Sequence, residues 1–384
     1  MNPPPGGLYI HVPFCARICP YCDFAVRKGD TDEKQGYVRS LLAEIDLWAG
    51  EFETLDTIYF GGGTPSSLTP SQLATIVDAL RASFTFAEDT RVFLEANPED
   101  VTAESARQWR DLGVATLSLG VQSLADEGLQ MLGRVHTVEQ LKNAVTHARD
   151  AAFPTLSIDL IYGRPGQTLD GWRGEMRHAL DLRPDHVSAY QLTIHPRTRF
   201  GALSARGRLV PLSETSQGEF FRATHQTMSL AGMEPYEVSQ FASGEPHHSR
   251  HNTKYWRGIR YLGLGPSAHS FVGERRWWNH RKLKDWQAVI ATGKRPVDGQ
   301  ETLTVEQQIL ERLMIGFRTV EGVDAGAIRD RFGVDLGQGN QELLEGWQQQ
   351  QLVTVSGDHW RPTLEGLAIA DTLAAGVRYA SPTG

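Results

Sequence analysis

The chain has 384 residues, 40% of them hydrophobic and 22% charged, proportions that suit a soluble globular protein with two or three domains. Its formal net charge of −8 argues against a general nucleic-acid binder, although Arg257, Arg260, Arg275, Arg276, Arg281, Lys282 and Lys284 crowd one region. No run approaches the roughly 20 apolar residues that span a bilayer, and the Met-Asn-Pro-Pro-Pro-Gly-Gly start lacks the basic and apolar segments of a secretory signal, so a cytoplasmic location is expected.

Short β-rich runs are predicted at Leu8–Phe14, Thr57–Phe60, Arg91–Ala96, Thr116–Val121, Leu156–Tyr162 and His186–Ile194. Helical spacing recurs between them. Tyr37, Leu41, Ile45 and Trp48 share one face, as do Leu73, Ile76, Val77, Leu80 and Phe84 after the Thr69-Pro70-Ser71 start signal. Thr137–Arg149 and Asp170–Leu182 continue the series. Six β/α units with short connections predict a parallel sheet curled into a barrel or a partial barrel.

Residues 200–290 are less regular and rich in Trp, Arg and His. Val305–Arg318, Asp324–Phe332 and Asn340–Gln349 then read as helices. Leu352–Val355 and His359–Pro362, joined by Ser-Gly-Asp, read as a hairpin, which makes the end winged-helix-like. The expected division is 1–200, a partial (β/α)6 barrel; 201–295, an extension completing the barrel mouth; and 296–384, the winged-helix-like domain.

All three cysteines, Cys15, Cys19 and Cys22, lie within eight residues as C-x3-C-x2-C, directly after the first strand. Three clustered thiols make a poor disulfide framework and a good ligand set. They suffice for three irons of a cubane cluster, with the fourth iron left open. A zinc site needs a fourth ligand such as His11. Tyr21 and Phe24 flank the set, either as core aromatics or as an apolar sheath that limits solvent access.

Barrels carry their functional residues at the carboxyl ends of the strands. Gly61-Gly62-Gly63-Thr64-Pro65 follows the second run, Glu95 ends the third, Gln122 ends the fourth and Asp159 lies in the fifth; Arg134 opens the next helical stretch. Taken singly, the glycines read as a turn and each polar residue as a satisfied core group. Together they read as the lining of a pocket for a polar ligand.

The string Tyr9-Ile-His-Val-Pro-Phe-Cys15-Ala-Arg-Ile-Cys19-Pro-Tyr-Cys22 resembles the radical S-adenosylmethionine (SAM) superfamily, in its oxygen-independent coproporphyrinogen-oxidase-like branch. The resemblance covers nearly the whole chain. It implies a [4Fe–4S] cluster on the three cysteines, with the open iron chelating the amino and carboxylate groups of SAM. One-electron transfer then cleaves the sulfonium bond to give a 5′-deoxyadenosyl radical. It also implies that Tyr9, Gly62, Gly63 and Thr64 contact the methionine part, that Glu95 bonds the ribose hydroxyls, and that Gln122, Arg134 and Asp159 complete the pocket.

Two features depart from the oxidase pattern. Phe24 stands where the oxidases have a further cysteine, and only eight residues precede Tyr9. Both match a sister group of haem chaperones. His251-Asn252-Thr253-Lys254-Tyr255-Trp256 also resembles an H-N-x-x-Y-W motif associated with haem binding in that group. Imidazole is a good axial iron ligand, Tyr255 and Trp256 can stack on a porphyrin, and nearby arginines can pair with its propionates. The bland reading of the same residues is ordinary packing. His247 and His248 are further ligand candidates, and Gly263-Leu-Gly-Pro-Ser-Ala-His269-Ser is a further family-like string. The resemblance therefore implies haem as cargo and acceptor haem proteins as partners, respiratory ones among them, met in the cytoplasm or at the membrane surface. The alternative is an enzyme: oxygen-independent coproporphyrinogen III oxidase or a related radical enzyme acting on tetrapyrroles.

Overall fold

The computed structural model describes residues 4–52 and 54–379; residues 1–3 of the Pro/Gly start and 380–384 of the expected C-terminal domain lie outside the described residues. Strand β1 (Gly6–Val12) leads to α1 (Thr31–Trp48), β2 (Leu55–Gly62), α2 (Pro70–Ser83), β3 (Phe86–Ala96), α3 (Ala103–Asp111) and β4 (Val114–Gln122). Next come α4 (Asp126–Met131), α5 (Val138–Asp150), β5 (Thr155–Tyr162), α6 (Leu169–Asp181) and β6 (His186–Gln191). The six strands pair in chain order, all parallel.

Local chemistry explains where the helices start. Asp30 with Glu33 caps α1, Thr69 with Gln72 caps α2, and Thr137 with Gln140 caps α5, each a reciprocal pair that satisfies otherwise orphaned amide groups. The predicted apolar stripe of α1 is the one it buries: Tyr37, Leu41 and Ile45 have no exposure. Removing each such side chain from water stabilises the fold by roughly 1.5–3 kcal/mol.

The less regular middle gives α7 (Arg199–Ser204), α8 (Glu214–Leu230), β7 (Glu234–Pro235), β8 (Gln240–Ala242), α9 (Arg250–Trp256), β9 (Tyr261–Leu264), β10 (His269–Val272), β11 (Arg275–Asn279), α10 (Leu283–Ile290) and β12 (Val297–Thr302). It extends the sheet at both edges. Strand β8 pairs antiparallel with β6, and β9 pairs parallel with β1. The described residues form one twelve-stranded sheet that ends at β12 on one side and β7 on the other, so the barrel is partial. Helix α8 has no clean apolar stripe in the sequence because its buried face includes Thr224 and His225. Thr224 accepts from Trp172 Nε1, and the His225 ring bonds the Val238 carbonyl.

Gly263–Ser270 turns a corner in this extension. Gly265, at φ 94°, Asn279 and Trp286 all donate to the fully buried Glu44 of α1. One carboxyl group thus ties α1 to β11 and α10, and burial pushes its pKa up to about 8.

The remainder comprises α11 (Val305–Gly316), β13 (Val323–Asp324), α12 (Ala325–Phe332), α13 (Gln341–Gln349), β14 (Val353–Ser356), β15 (His359–Pro362), α14 (Leu364–Ala368) and α15 (Ala370–Gly376). Helices α11, α12, α13 and α15 and a small sheet in the order β13-β15-β14 surround a separate core that includes Ile309, Leu313, Phe317, Trp347 and Trp360. The arrangement is winged-helix-like. Strand β12, which the sequence division placed with this unit, instead pairs with β11.

Candidate functional site

The carboxyl ends of β2 to β6 and the loop after β1 surround a cavity of about 420 Å3. Cys15, Cys19 and Cys22 border it as free, half-buried thiols. The loop that carries them is held by backbone: Cys15 N donates to Arg27 O, and Cys22 N donates to Cys19 O. Thr64 Oγ1 donates to Cys15 Sγ at 3.5 Å, and Arg134 Nη1 to Cys19 Sγ at 3.7 Å. Burial pushes the Cys15 thiol up to about 11, so a metal must displace protons as it binds.

This donor set fits a cubane cluster. Each thiolate would bind its own iron, with one hydroxyl and one guanidinium donating to sulfur in support. It fits a mononuclear zinc poorly: among the described residues, no three His, Cys, Asp or Glu side chains gather around one ion position. The fourth ligand considered for zinc, His11, is committed. Its Nδ1 meets Tyr9 OH and its Nε2 meets Ala25 O, while burial lowers its pKa to about 4.

Gly62, Gly63, Thr64, Glu95, Gln122, Arg134 and Asp159 all line the cavity. Gly62 holds φ at 107°, and a side chain there would meet His11 Nδ1 at 2.6 Å, so glycine is required. Gln122 also has a positive φ, 66°, where the β4–β5 register shifts, a strained backbone at the cavity wall. Tyr59 donates to Glu95 Oε1 at 2.7 Å, and Ser118 donates to Asp159 at 3.2 Å. Burial nevertheless raises Glu95 to about 7 and Asp159 to about 6. Arg134 donates to Asn97 Oδ1 and Gly120 O as well as to Cys19. Tyr9 is placed differently from the other pocket candidates. Its ring stacks on Tyr59 and borders a smaller cavity of about 390 Å3 that shares Gly62 and Glu95 with the first. Phe24 is 70% exposed at the mouth, so it is not a core aromatic.

Helix α9 carries the His251–Trp256 motif and spreads it over several environments. His251 is fully buried, with Nδ1 2.9 Å from Thr57 Oγ1 and Nε2 2.8 Å from Tyr255 OH. Burial, with Lys254 nearby, lowers its pKa to about 3. With both nitrogens engaged, His251 has no lone pair free for iron in this conformation. Tyr255 supports that ring and packs edge-on against Tyr261. Asn252 lines the barrel cavity. Trp256 lines a different space, a cleft of about 450 Å3 between α9 and the C-terminal unit. His247 bonds Thr155 and faces the barrel cavity, whereas His248 stacks on Tyr236 at 4.1 Å and faces the cleft.

Residues 9–179 match the Radical SAM superfamily model, and residues 303–369 match the HemN C-terminal domain. A Bacillus subtilis (strain 168) protein named heme chaperone HemW is 34% identical over 332 residues, covering 85% of this chain and 87% of that protein. The chain belongs to the HemW family. A HemW from Mycobacterium tuberculosis (strain ATCC 25618 / H37Rv) is 34% identical over 378 residues, 96% of this chain and 94% of its own. The solved structure of coproporphyrinogen III oxidase (HemN) from Escherichia coli superposes with a TM-score of 0.83 at 22% identity, covering 97% of this chain and 90% of that one; the fold is shared. Among the described residues no helix is long and apolar enough to cross a membrane.

Sequence reasoning missed a second tier of polar groups in this HemW-family cavity. Thr116 and Ser118, Ser157 beside the predicted Asp159, and His186, Ser188 and Tyr190 all line it, at alternate positions on β4, β5 and β6. Their spacing of two was the available signal, masked by apolar neighbours that face the helices. Ser157 bonds His186, and His186 bonds Tyr236, which keeps these groups satisfied. Part of the basic stretch is compensated: Arg276 pairs with Glu301 and Glu311, and Arg257 with Glu321.

Proposed function

We propose that this HemW-family chain is a haem-binding chaperone that carries a [4Fe–4S] cluster and SAM and delivers haem to acceptor haem proteins, including respiratory ones. The observation that carries this reading is the likeness to proteins named heme chaperone HemW along 87–94% of their length. Cys15, Cys19 and Cys22 would hold the cluster; Gly62, Gly63, Thr64, Glu95, Gln122, Arg134 and Asp159 would hold SAM. The cluster, when bound, supplies one-electron transfer. Thr64 and Arg134 donate to cysteine sulfur, which stabilises the thiolate form that a cluster requires. The segment bearing His251, Asn252, Tyr255 and Trp256 would supply the haem-contacting region.

Phe24 favours the chaperone over coproporphyrinogen III oxidase, because it leaves no cysteine two positions after Cys22. The deciding experiment incubates cluster-reconstituted protein anaerobically with coproporphyrinogen III, reductant and SAM, and separately titrates it with haem. The expected outcome is haem binding with no protoporphyrinogen IX formed. Sustained conversion of coproporphyrinogen III would establish the oxidase instead.

A further inference from the structure

The cleft between α9 and the C-terminal unit has the chemistry of a site for a flat, apolar dianion. Trp256 forms part of one wall and Ile315 and Phe332 part of the facing one, with Phe271 also in the lining. The Trp256 Nε1 atom is withdrawn from solvent without a hydrogen-bond partner among the described residues.

Charges in the cleft are unevenly committed. Glu311 takes both oxygens to Arg276, Glu321 pairs with Arg257, and Asp324 caps α12 through Ala327 N. Arg312 and Arg331 have only neutral partners among the described residues: the Arg257 carbonyl at 3.4 Å and Gln308 Oε1 at 3.3 Å. Burial and the neighbouring charge of Arg331, only partly opposed by Glu311, hold the Arg312 guanidinium below its ordinary pKa. Neither guanidinium has a carboxylate within ion-pair distance among the described residues, which leaves both able to receive an anionic ligand.

One histidine lines this cleft, His248. Tyr236 supports one face of its ring, and among the described residues its ring nitrogens have no hydrogen-bond partner. His251 has both ring nitrogens hydrogen-bonded, and His247, bonded through Nδ1 to Thr155, faces the barrel cavity instead of this cleft.

We propose that the haem cargo binds in this cleft rather than in the barrel, with His248 as axial ligand, Arg312 and Arg331 receiving the two carboxylates, and Trp256 against the macrocycle. The proposal rests on the haem-binding reading above. The cleft volume of about 450 Å3 falls within the ~300–1,000 Å3 range of small-molecule sites. It also places the cargo at the junction with the C-terminal unit.

The test titrates cluster-reconstituted full-length protein with ferric haem, metal-free protoporphyrin IX and haem dimethyl ester, following absorbance and spin state. His248→Ala should shift the Soret band and spin state with haem, and should leave protoporphyrin IX affinity unchanged. The Arg312→Ala/Arg331→Ala double variant should weaken haem at least about tenfold with the Soret position kept. The dimethyl ester should bind wild type as weakly as haem binds that double variant. An unaltered spectrum in His248→Ala overturns the ligand assignment, and unaltered affinity in the double variant overturns the cleft, while wild-type haem binding still stands. If wild type takes up no haem, the haem-binding reading itself has failed. Both changes are at solvent-reached positions, and circular dichroism with retained cluster content verifies the fold.

Discussion

Lys254 Nζ lies 2.5 Å from Asp56 Oδ1, and both side chains are more than nine-tenths withdrawn from water. The same ammonium donates to Pro5 O, so one residue inside the His251–Trp256 motif ties α9 to the start of β1 and β2.

Replacing Lys254 by methionine should therefore destabilise the protein, because the buried Asp56 carboxylate loses its nearest cation and keeps the longer contact with Arg250, at 3.5 Å. The expected loss is about 3 kcal/mol, the usual cost of breaking a buried pair from one side. Chemical denaturation followed by tryptophan fluorescence measures it. A loss under ~1 kcal/mol would show that the pair is solvated in practice.

Anaerobic reconstitution should load about four irons and four sulfides per chain, since three thiols and an open iron are what one cubane needs. Alanine at Cys15, Cys19 or Cys22 should each abolish the loading. Zinc at unit stoichiometry with no iron uptake would reverse the assignment.

Glu95 should show a trade of stability against binding. Burial raises its pKa from 4.5 to about 7, so the apo fold prefers the protonated acid. That contribution is complete below about pH 4.5 and is lost as pH rises through about 7. Glu95→Gln stays neutral and can still accept from Tyr59. At pH 8 it should be more stable than wild type by on the order of 1–2 kcal/mol, with the gap closing by pH 4.5. The same variant should bind SAM more weakly by about 1–3 kcal/mol, because it loses a charged acceptor. Thermal melts across pH and a SAM titration read the two effects independently, and an unchanged SAM Kd would mean the pocket is misplaced.

Gly62→Ala places a Cβ 2.6 Å from the His11 ring on a backbone at φ 107°. The expected cost exceeds about 1 kcal/mol, with SAM affinity lost in parallel because the cavity wall must move. Wild-type stability in this variant would show that the loop after β2 relaxes freely.

The cysteine set and the order of β/α units were legible in the sequence because both are local. Ligand spacing is fixed within eight residues, and apolar periods of two and 3.6 report directly on strands and helices. Short strands such as β7 and β13 were not legible, since two residues have no period, and neither was β12, whose residues are mostly exposed. The motif on α9 marks the boundary between the two kinds of knowledge. Its spacing alone puts His251 and Tyr255 on one helical face and turns Asn252 and Trp256 about 100° away. Which face meets the barrel depends on partners far off in the chain: Thr57 on β2 for His251, Asp56 for Lys254. Only the folded sheet brings those partners to α9, and it thereby turns His251 into a buried strut and leaves Trp256 facing the cleft.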